Sequence, residues 1–233
     1  MTDIQENLKK LHERIDQAAA RAGRSADEVE LIAISKVHDE ELLREAYQAG
    51  QTTFGESYVQ EWQTKAENLS DLDIDWHFVG ALQSNKVRYI TDRVSVIHGI
   101  NRKKLVKEVR KRAEKPQKVC IQVSVSGEES KSGCDPDDAP GIVRYAMESD
   151  NVVPIGLMTI PPHVEDESVA RKNFRELREL RDSIREELAS DYDMEGFTHL
   201  SMGMTNDFEI AIEEGATMIR VGTAIFGPRN YDD

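Results

Sequence analysis

Residues 29–36 read VELIAISK, a run that is apolar from Leu31 to Ile34 and closes on Ser35 and Lys36. A short continuous apolar run is the mark of a strand buried on both faces. Runs of this kind return at TTFGE (52–56), WHFVG (76–80), VSVIHG (94–99), KVCIQVSVS (118–126), NVVPIGLM (151–158), FTHLS (197–201) and MIRVG (218–222). Helical patterns fill the intervals, near 39–50, 57–68, 84–92, 101–114, 136–149, 165–189 and 205–215. The stretch 165–189 is the clearest, with Phe174, Leu177, Leu180, Ile184 and Leu188 recurring at three and four on a charged background. Strands alternating with helices imply right-handed βαβ units and a parallel sheet. Eight strands with seven intervening helices predict an α/β fold, a (β/α)8 TIM barrel. An extra N-terminal helix precedes it, since Ile4, Leu8, Leu11 and Ile15 are spaced by four, three and four. A doubly wound open sheet is the alternative, against which counts the lack of GxGxxG after the first strand.

The 233 residues suffice for one well-buried core, since a globule of this size buries roughly 70–75% of its unfolded-chain surface. A single domain over 1–233 is expected. No apolar run approaches the roughly 20 residues that cross a bilayer, and the polar start MTDIQENLKK does not read as a signal peptide. Thirty Lys+Arg against 44 Asp+Glu leave a net charge of −14, which disfavours unspecific adhesion to nucleic acid or anionic lipid. Cys120 and Cys134 lack CxxC spacing, which points to a reducing, cytoplasmic compartment without disulfides. NRKKLVKEVRKRAEKPQK (101–118) holds nine basic and two acidic residues. Leu105, Val109 and Ala113 mark a buried stripe within it, so the charges read as a solvated helix face. A nucleic-acid patch or a docking face for an acidic partner are the other readings. SGEESKSGCDPDDAPG (126–141) is the most loop-like stretch and would hang over the barrel mouth as a solvated loop or a lid. Pro154, inside a strand run, predicts a bulge or an irregular strand start.

Two features carry chemistry. Lys36 falls at the C-terminal end of the first strand, the face where barrel enzymes place their reacting groups. Apolar residues behind a lysine lower its pKa and free the amine for attack on an aldehyde; a lysine snorkelling to water is the plainer reading. At the other end of the chain, HLSMGMTND (199–207) and RVGTAIFG (220–227) place Ser201, Gly203, Thr205, Gly222 and Thr223 just after the seventh and eighth strands. Small residues and hydroxyls there suit a phosphate site, ordinary glycine-containing turns being the alternative. In a closed barrel strand 1 neighbours strand 8, so the amine and the phosphate site meet. An aldehyde with a phosphate tail fits both: pyridoxal 5′-phosphate (PLP) or a phosphorylated sugar. No HExxH or close His/Cys pair suggests a metal, and none is expected; His77 is a candidate for the cavity lining.

LIAISK, FGESYVQE, WHFVGALQSNK, GLMTI, HLSMGMTND and IRVGTAIFG, spread in this order over residues 31–227, resemble the family of PLP-binding homeostasis proteins. These are single-barrel relatives of the alanine racemase N-terminal domain. The resemblance implies that Lys36 forms an aldimine with PLP, that Ser201, Gly203, Thr205, Gly222 and Thr223 surround the phosphate, and that Arg220 faces the pyridine nitrogen. It implies a role in holding or delivering PLP, with apo-PLP enzymes as recipients, no nucleic acid or membrane partner, and a monomer. Ser57 departs from the pattern, standing where the family has Asn. A cation beside the pyridine nitrogen disfavours its protonation and weakens the ring as an electron sink; a barrel-interior salt bridge is the other reading of Arg220. The chain ends six residues after Gly227, where related racemases continue into a second domain. Two-base racemisation needs a group on each face of the α-carbon, and beyond Lys36 only Tyr58 offers one, a residue that reads better as a surface-helix tyrosine. Non-catalytic PLP binding is therefore the expectation. Two rivals are a weak PLP-dependent racemase or decarboxylase and a phosphorylated-sugar aldolase or isomerase using Lys36 without PLP.

Overall fold

A computed structural model describes residues 3–125, 133–161 and 166–228. The chain opens with helix α1 (Ile4–Arg21), capped by the Asp3 carboxylate on the Glu6 amide at 3.0 Å. Then follow β1 (Glu30–Ile34), α2 (Glu40–Gln48), β2 (Thr53–Glu56), α3 (Val59–Asn68), β3 (Asp75–Phe78), α4 (Val87–Ile90), β4 (Val96–Ile100), α5 (Lys103–Arg110), β5 (Gln117–Gln122), α6 (Ala139–Met147), β6 (Val152–Met158), α7 (Glu167–Leu188), β7 (His199–Ser201), α8 (Phe208–Glu213), β8 (Met218–Val221) and α9 (Thr223–Phe226). The eight strands are parallel and close into a barrel, with β1 paired to both β2 and β8. The open-sheet alternative is thereby excluded.

Closure sorts side chains by the two-residue period of each strand. On β1, Leu31 and Ala33 face the helices and join the large outer core, whereas Ile32 and Ile34 point inward with Val79, Cys120, Met158 and Met218. The interior is not wholly apolar: His77, His98, Ser201 and Arg220 are buried there as well. Helix α1 lays Ile4, Leu8, Leu11 and Ile15 against α8, α9 and α2, each large side chain contributing roughly 1.5–3 kcal/mol by burial. Asn7 donates to Ile225 O at 2.9 Å and Arg14 pairs with Glu209, which ties the extra helix to the last barrel unit.

The expected elements shorten at their ends. Helix α4 keeps only Val87–Ile90 of the 84–92 expected, because a turn precedes it and Asp92 takes φ 63°, a conformation that ends a helix. Pro154 sits at a shift in register: Val119 pairs with Pro154 but Cys120 with Gly156, leaving Ile155 as the extra residue of a bulge. On α5, Leu105 and Val109 are buried as expected and Val106 joins them, whereas Ala113 lies beyond the end of the helix and is only half-buried. Of the stretch 126–141, residues 126–132 lie outside the described residues; Cys134 bridges to Val123 beside β5. No helix among the described residues is long and apolar enough to cross a membrane.

Candidate functional site

The C-terminal ends of β1 and β8 lie side by side, and a cavity of about 250 Å³ opens over them. Lys36, Thr205, Arg220, Gly222 and Thr223 line it, with apolar walls from Ile34, Val79, Ile160 and Met204. The strand-end amine and the two terminal loops are thus drawn to one place. Gly222 is required by close approach: a Cβ there would stand 2.9 Å from Ile34 O, where β1 and β8 converge.

Ser201 and Gly203, also singled out by the sequence, are not among the residues lining this cavity. Gly203 shapes the loop from beneath, at φ 94°, where a Cβ would stand 2.6 Å from the Ala211 Cβ; its carbonyl accepts from Arg220 N at 3.0 Å. Ser201 is fully buried and holds Arg220, whose NH1 donates to Ser201 Oγ at 2.6 Å while NH2 donates to Thr159 O at 2.7 Å. The salt-bridge reading of Arg220 gives way to these two neutral acceptors. Burial lowers its pKa to about 10, against the pull of Asp207 and Cys120, so the guanidinium remains charged at neutral pH and forms a cationic wall of the cavity.

His77 does not reach the cavity. Its Nδ1 lies 3.0 Å from His98 Nε2, and its Nε2 lies 3.7 Å from Asp75 and 3.9 Å from Glu30, toward the N-terminal ends of the strands. Ligand atoms of Glu30, Asp75 and His77 fall within 4.8 Å of one another, but the histidine is already engaged with His98, and the group reads as the end of a hydrogen-bonded chain. Tyr58 is 56% exposed at the N-terminus of α3 and lines a neighbouring cavity instead.

Behind Lys36 lies an ion cluster that the sequence signals more faintly. Lys65 is buried and its Nζ donates to Ser35 O at 2.6 Å, Glu56 Oε1 at 2.8 Å and Glu61 Oε1 at 2.7 Å. Glu56 Oε1 also accepts from Ser35 Oγ at 2.7 Å, while Oε2 is buried without a partner. Burial outweighs Lys65 and raises the Glu56 pKa. Glu61 further accepts from the amide of Val37, the residue after Lys36, which takes φ 60°. A β-branched residue rarely adopts that conformation. The ion cluster therefore clamps a strained turn on one side of Lys36 and the strand carbonyl on the other. A signal was present: Val59, Trp62 and Lys65, at successive steps of three, share the buried stripe of α3, and a lysine on such a stripe demands partners.

Residues 6–230 match the family described as alanine racemase, N-terminal domain. The pyridoxal phosphate homeostasis protein of Aquifex aeolicus is 47% identical over 97% of this chain and 98% of its own length. That of Pseudomonas aeruginosa is 42% identical over 99% and 98%. Among solved structures, PipY of Synechococcus elongatus with PLP bound superposes with a TM-score of 0.81 at 33% identity, covering 97% of this chain and all of that one (100%).

Proposed function

The chain belongs to the pyridoxal phosphate homeostasis protein family, and on that premise we propose that it binds PLP at the barrel mouth and serves PLP homeostasis by holding and handing on the cofactor. The carrying observation is that one cavity of about 250 Å³ gathers an amine, Lys36, a fixed cation, Arg220, and a rim formed by Thr205, Gly222 and Thr223. Those residues fit PLP: a hydroxyl and backbone rim for a phosphate, apolar walls at Ile34 and Val79 for a ring, and an amine for an aldehyde. PLP supplies an aldehyde that condenses reversibly with amines and a ring that withdraws electrons when its nitrogen is protonated.

The protein's own residues favour retention over turnover. Lys36 is the amine that takes the aldehyde, on a strand end clamped by Lys65 and Glu61. Arg220, still cationic with its pKa near 10, opposes a second positive charge on a ring nitrogen set against it. Besides Lys36 and Arg220, the titratable group lining the cavity among the described residues is Asp207, whose carboxylate accepts from the Met204 amide at 2.6 Å and braces the rim; two-base racemisation needs a second base set across the α-carbon from Lys36. In this reading apo-PLP enzymes are the recipients and the cytoplasm is the compartment. The working form is a monomer, since a closed barrel has no edge strand to pair.

The test is PLP retention through gel filtration. The loaded wild-type protein should keep a visible absorbance band at one equivalent per chain, and Lys36→Ala should lose it. A folded Lys36→Ala variant that keeps the band overturns the proposal.

A further inference from the structure

Charge is unevenly spread along the chain. Residues 81–118 hold twelve Lys+Arg and three Asp+Glu, a net of +9, whereas the remaining residues hold 18 and 41, a net of −23. Helix α5 concentrates the positive part. Lys103, Lys104, Lys107 and Lys111 are exposed and, at 3.6 residues per turn, share an arc of about 100°, opposite the buried Leu105, Val106 and Val109. None of the four has an acidic partner among the described residues; Lys103 Nζ lies 5.9 Å from the centre of the Tyr145 ring.

Folding alone does not call for this arrangement. Like charges four residues apart, Lys103 with Lys107 and Lys107 with Lys111, repel on a helix surface. Arg102, Lys103 and Lys104 stand at the N-terminus of α5, where the helix dipole favours acids. Helices α1, α2, α3, α7 and α8 follow that rule, with Glu6, Glu40, Glu61, Glu167 and Glu209 in their first turns; α5 has no acid there. A local choice that opposes its own element marks a surface kept for another purpose.

The basic face continues to the barrel mouth. Lys86 and Arg102 line a cavity of about 700 Å³ together with Lys36, Tyr58 and Ile160, and Tyr58 and Ile160 are exposed. Lys86 Nζ lies 5.7 Å from the centre of the Tyr89 ring, and Arg102 donates to the neutral acceptors Asn101 Oδ1 at 2.7 Å and Leu82 O at 3.4 Å. Uncompensated cations beside exposed apolar side chains suit a protein interface, the charges steering the encounter and the apolar spot seating it. A nucleic acid fits less well, because its phosphates would run on from this face onto a surface of net −23. A folded protein can offer a bounded acidic patch.

From this we infer that α5 and the mouth beside it dock an acidic protein face, and that the occupant is an apo-PLP enzyme whose cofactor entrance is rimmed by carboxylates. The identity of the occupant rests on the proposed function; the charge and position of the docking face stand without it.

The experiment is fluorescence anisotropy of labelled apo-aspartate aminotransferase titrated with the full chain, with and without PLP. A second probe is the same apo-enzyme with the acids around its cofactor entrance replaced by amides. The variants are Lys104→Glu/Lys107→Glu and the milder Lys107→Gln, neither of which touches the cofactor cavity. The native probe should bind, and the amide probe should bind roughly tenfold more weakly. The double substitution should weaken native-probe binding roughly tenfold and Lys107→Gln several-fold, with the differences shrinking in 0.5 M salt. Absence of binding, or equal affinity of wild type and the folded double variant, overturns the inference. So does displacement of the probe by a 20-nucleotide single-stranded RNA or by phosphatidylserine vesicles at a tenth of its concentration, which would assign the face to a nucleic acid or a membrane. Borohydride trapping at Lys36, run in parallel, separates the two claims. An adduct without docking sinks the inference alone, and charge-dependent docking without an adduct sinks the cofactor reading alone.

Discussion

Arg220 and His98 are joined through one hydroxyl: Ser201 Oγ accepts from Arg220 NH1 at 2.6 Å and stands 2.9 Å from His98 Nδ1. A hydroxyl has a single proton, so with the guanidinium donating to it, that proton points to His98 Nδ1. His98 then carries its proton on Nε2 and donates to His77 Nδ1 at 3.0 Å, and His77 turns its remaining N–H toward Asp75 and Glu30. The tautomers, assigned from the network, give a one-way chain through the barrel interior, from a buried cation at the cavity to carboxylates at the far end.

Ser201→Ala should therefore damage a cavity it does not line. It strands a guanidinium N–H and a histidine nitrogen, each costing about 1–3 kcal/mol when buried. Urea unfolding should show a loss of about 3 kcal/mol, and PLP affinity should fall by about tenfold, the equivalent of 1.4 kcal/mol. Unaltered stability would show that Arg220 is held by other means.

His98 gives the chain an acid limit. Its pKa is held well below 6.5 by burial first, then by the neighbouring His77 imidazole, which disfavours a second proton on the pair, and by the Arg220 charge. A base with a depressed folded pKa stabilises above its unfolded pKa and loses that stability as pH falls. Unfolding free energy should drop below about pH 6.5, by up to about 1.4 kcal/mol per pH unit for this proton. His199, also lowered by burial, adds in the same direction. His98→Gln should flatten part of that limb; an unchanged pH profile would contradict the neutral assignment.

Lys65→Met leaves Glu56 buried and unpaired, which costs about 3–5 kcal/mol. The pH response carries the distinguishing sign. Glu56 has a raised folded pKa, so its contribution is present at low pH and lost as pH rises through that value. Removing Lys65 raises the pKa further. The variant should be weakest near pH 8, recover toward pH 5, and be partly rescued by adding Glu56→Gln. Equal losses at both pH values would indicate a packing defect instead.

Both thiols should be silent in the native protein. Burial pushes Cys120 and Cys134 up to about 12, and the thiolate is the reactive form. Ellman's reagent at pH 8 should label neither cysteine until denaturant is added. Rapid labelling of Cys134 without denaturant would contradict its burial.

The fold was legible because continuous apolar runs alternate with helical periods, a pattern that few other architectures satisfy. Lys36, Thr205, Arg220, Gly222 and Thr223 were legible because strand ends and turn residues fix them at one face. Ser201 and Gly203 lie beneath the cavity lining, a depth the sequence does not show: the pleat that turns Ser201 beneath Arg220 depends on a β7 of only three residues, His199–Ser201, whose register the sequence leaves open. His77 was placed at the wrong end for a similar reason, since it points inward as expected but sits low on β3.

The most direct test of the central claim is borohydride reduction of the PLP-loaded protein followed by peptide mass spectrometry. The account expects one phosphopyridoxyl group per chain, confined to Lys36. Adducts scattered over other lysines, or a folded, loaded protein with Lys36 unmodified, would contradict it.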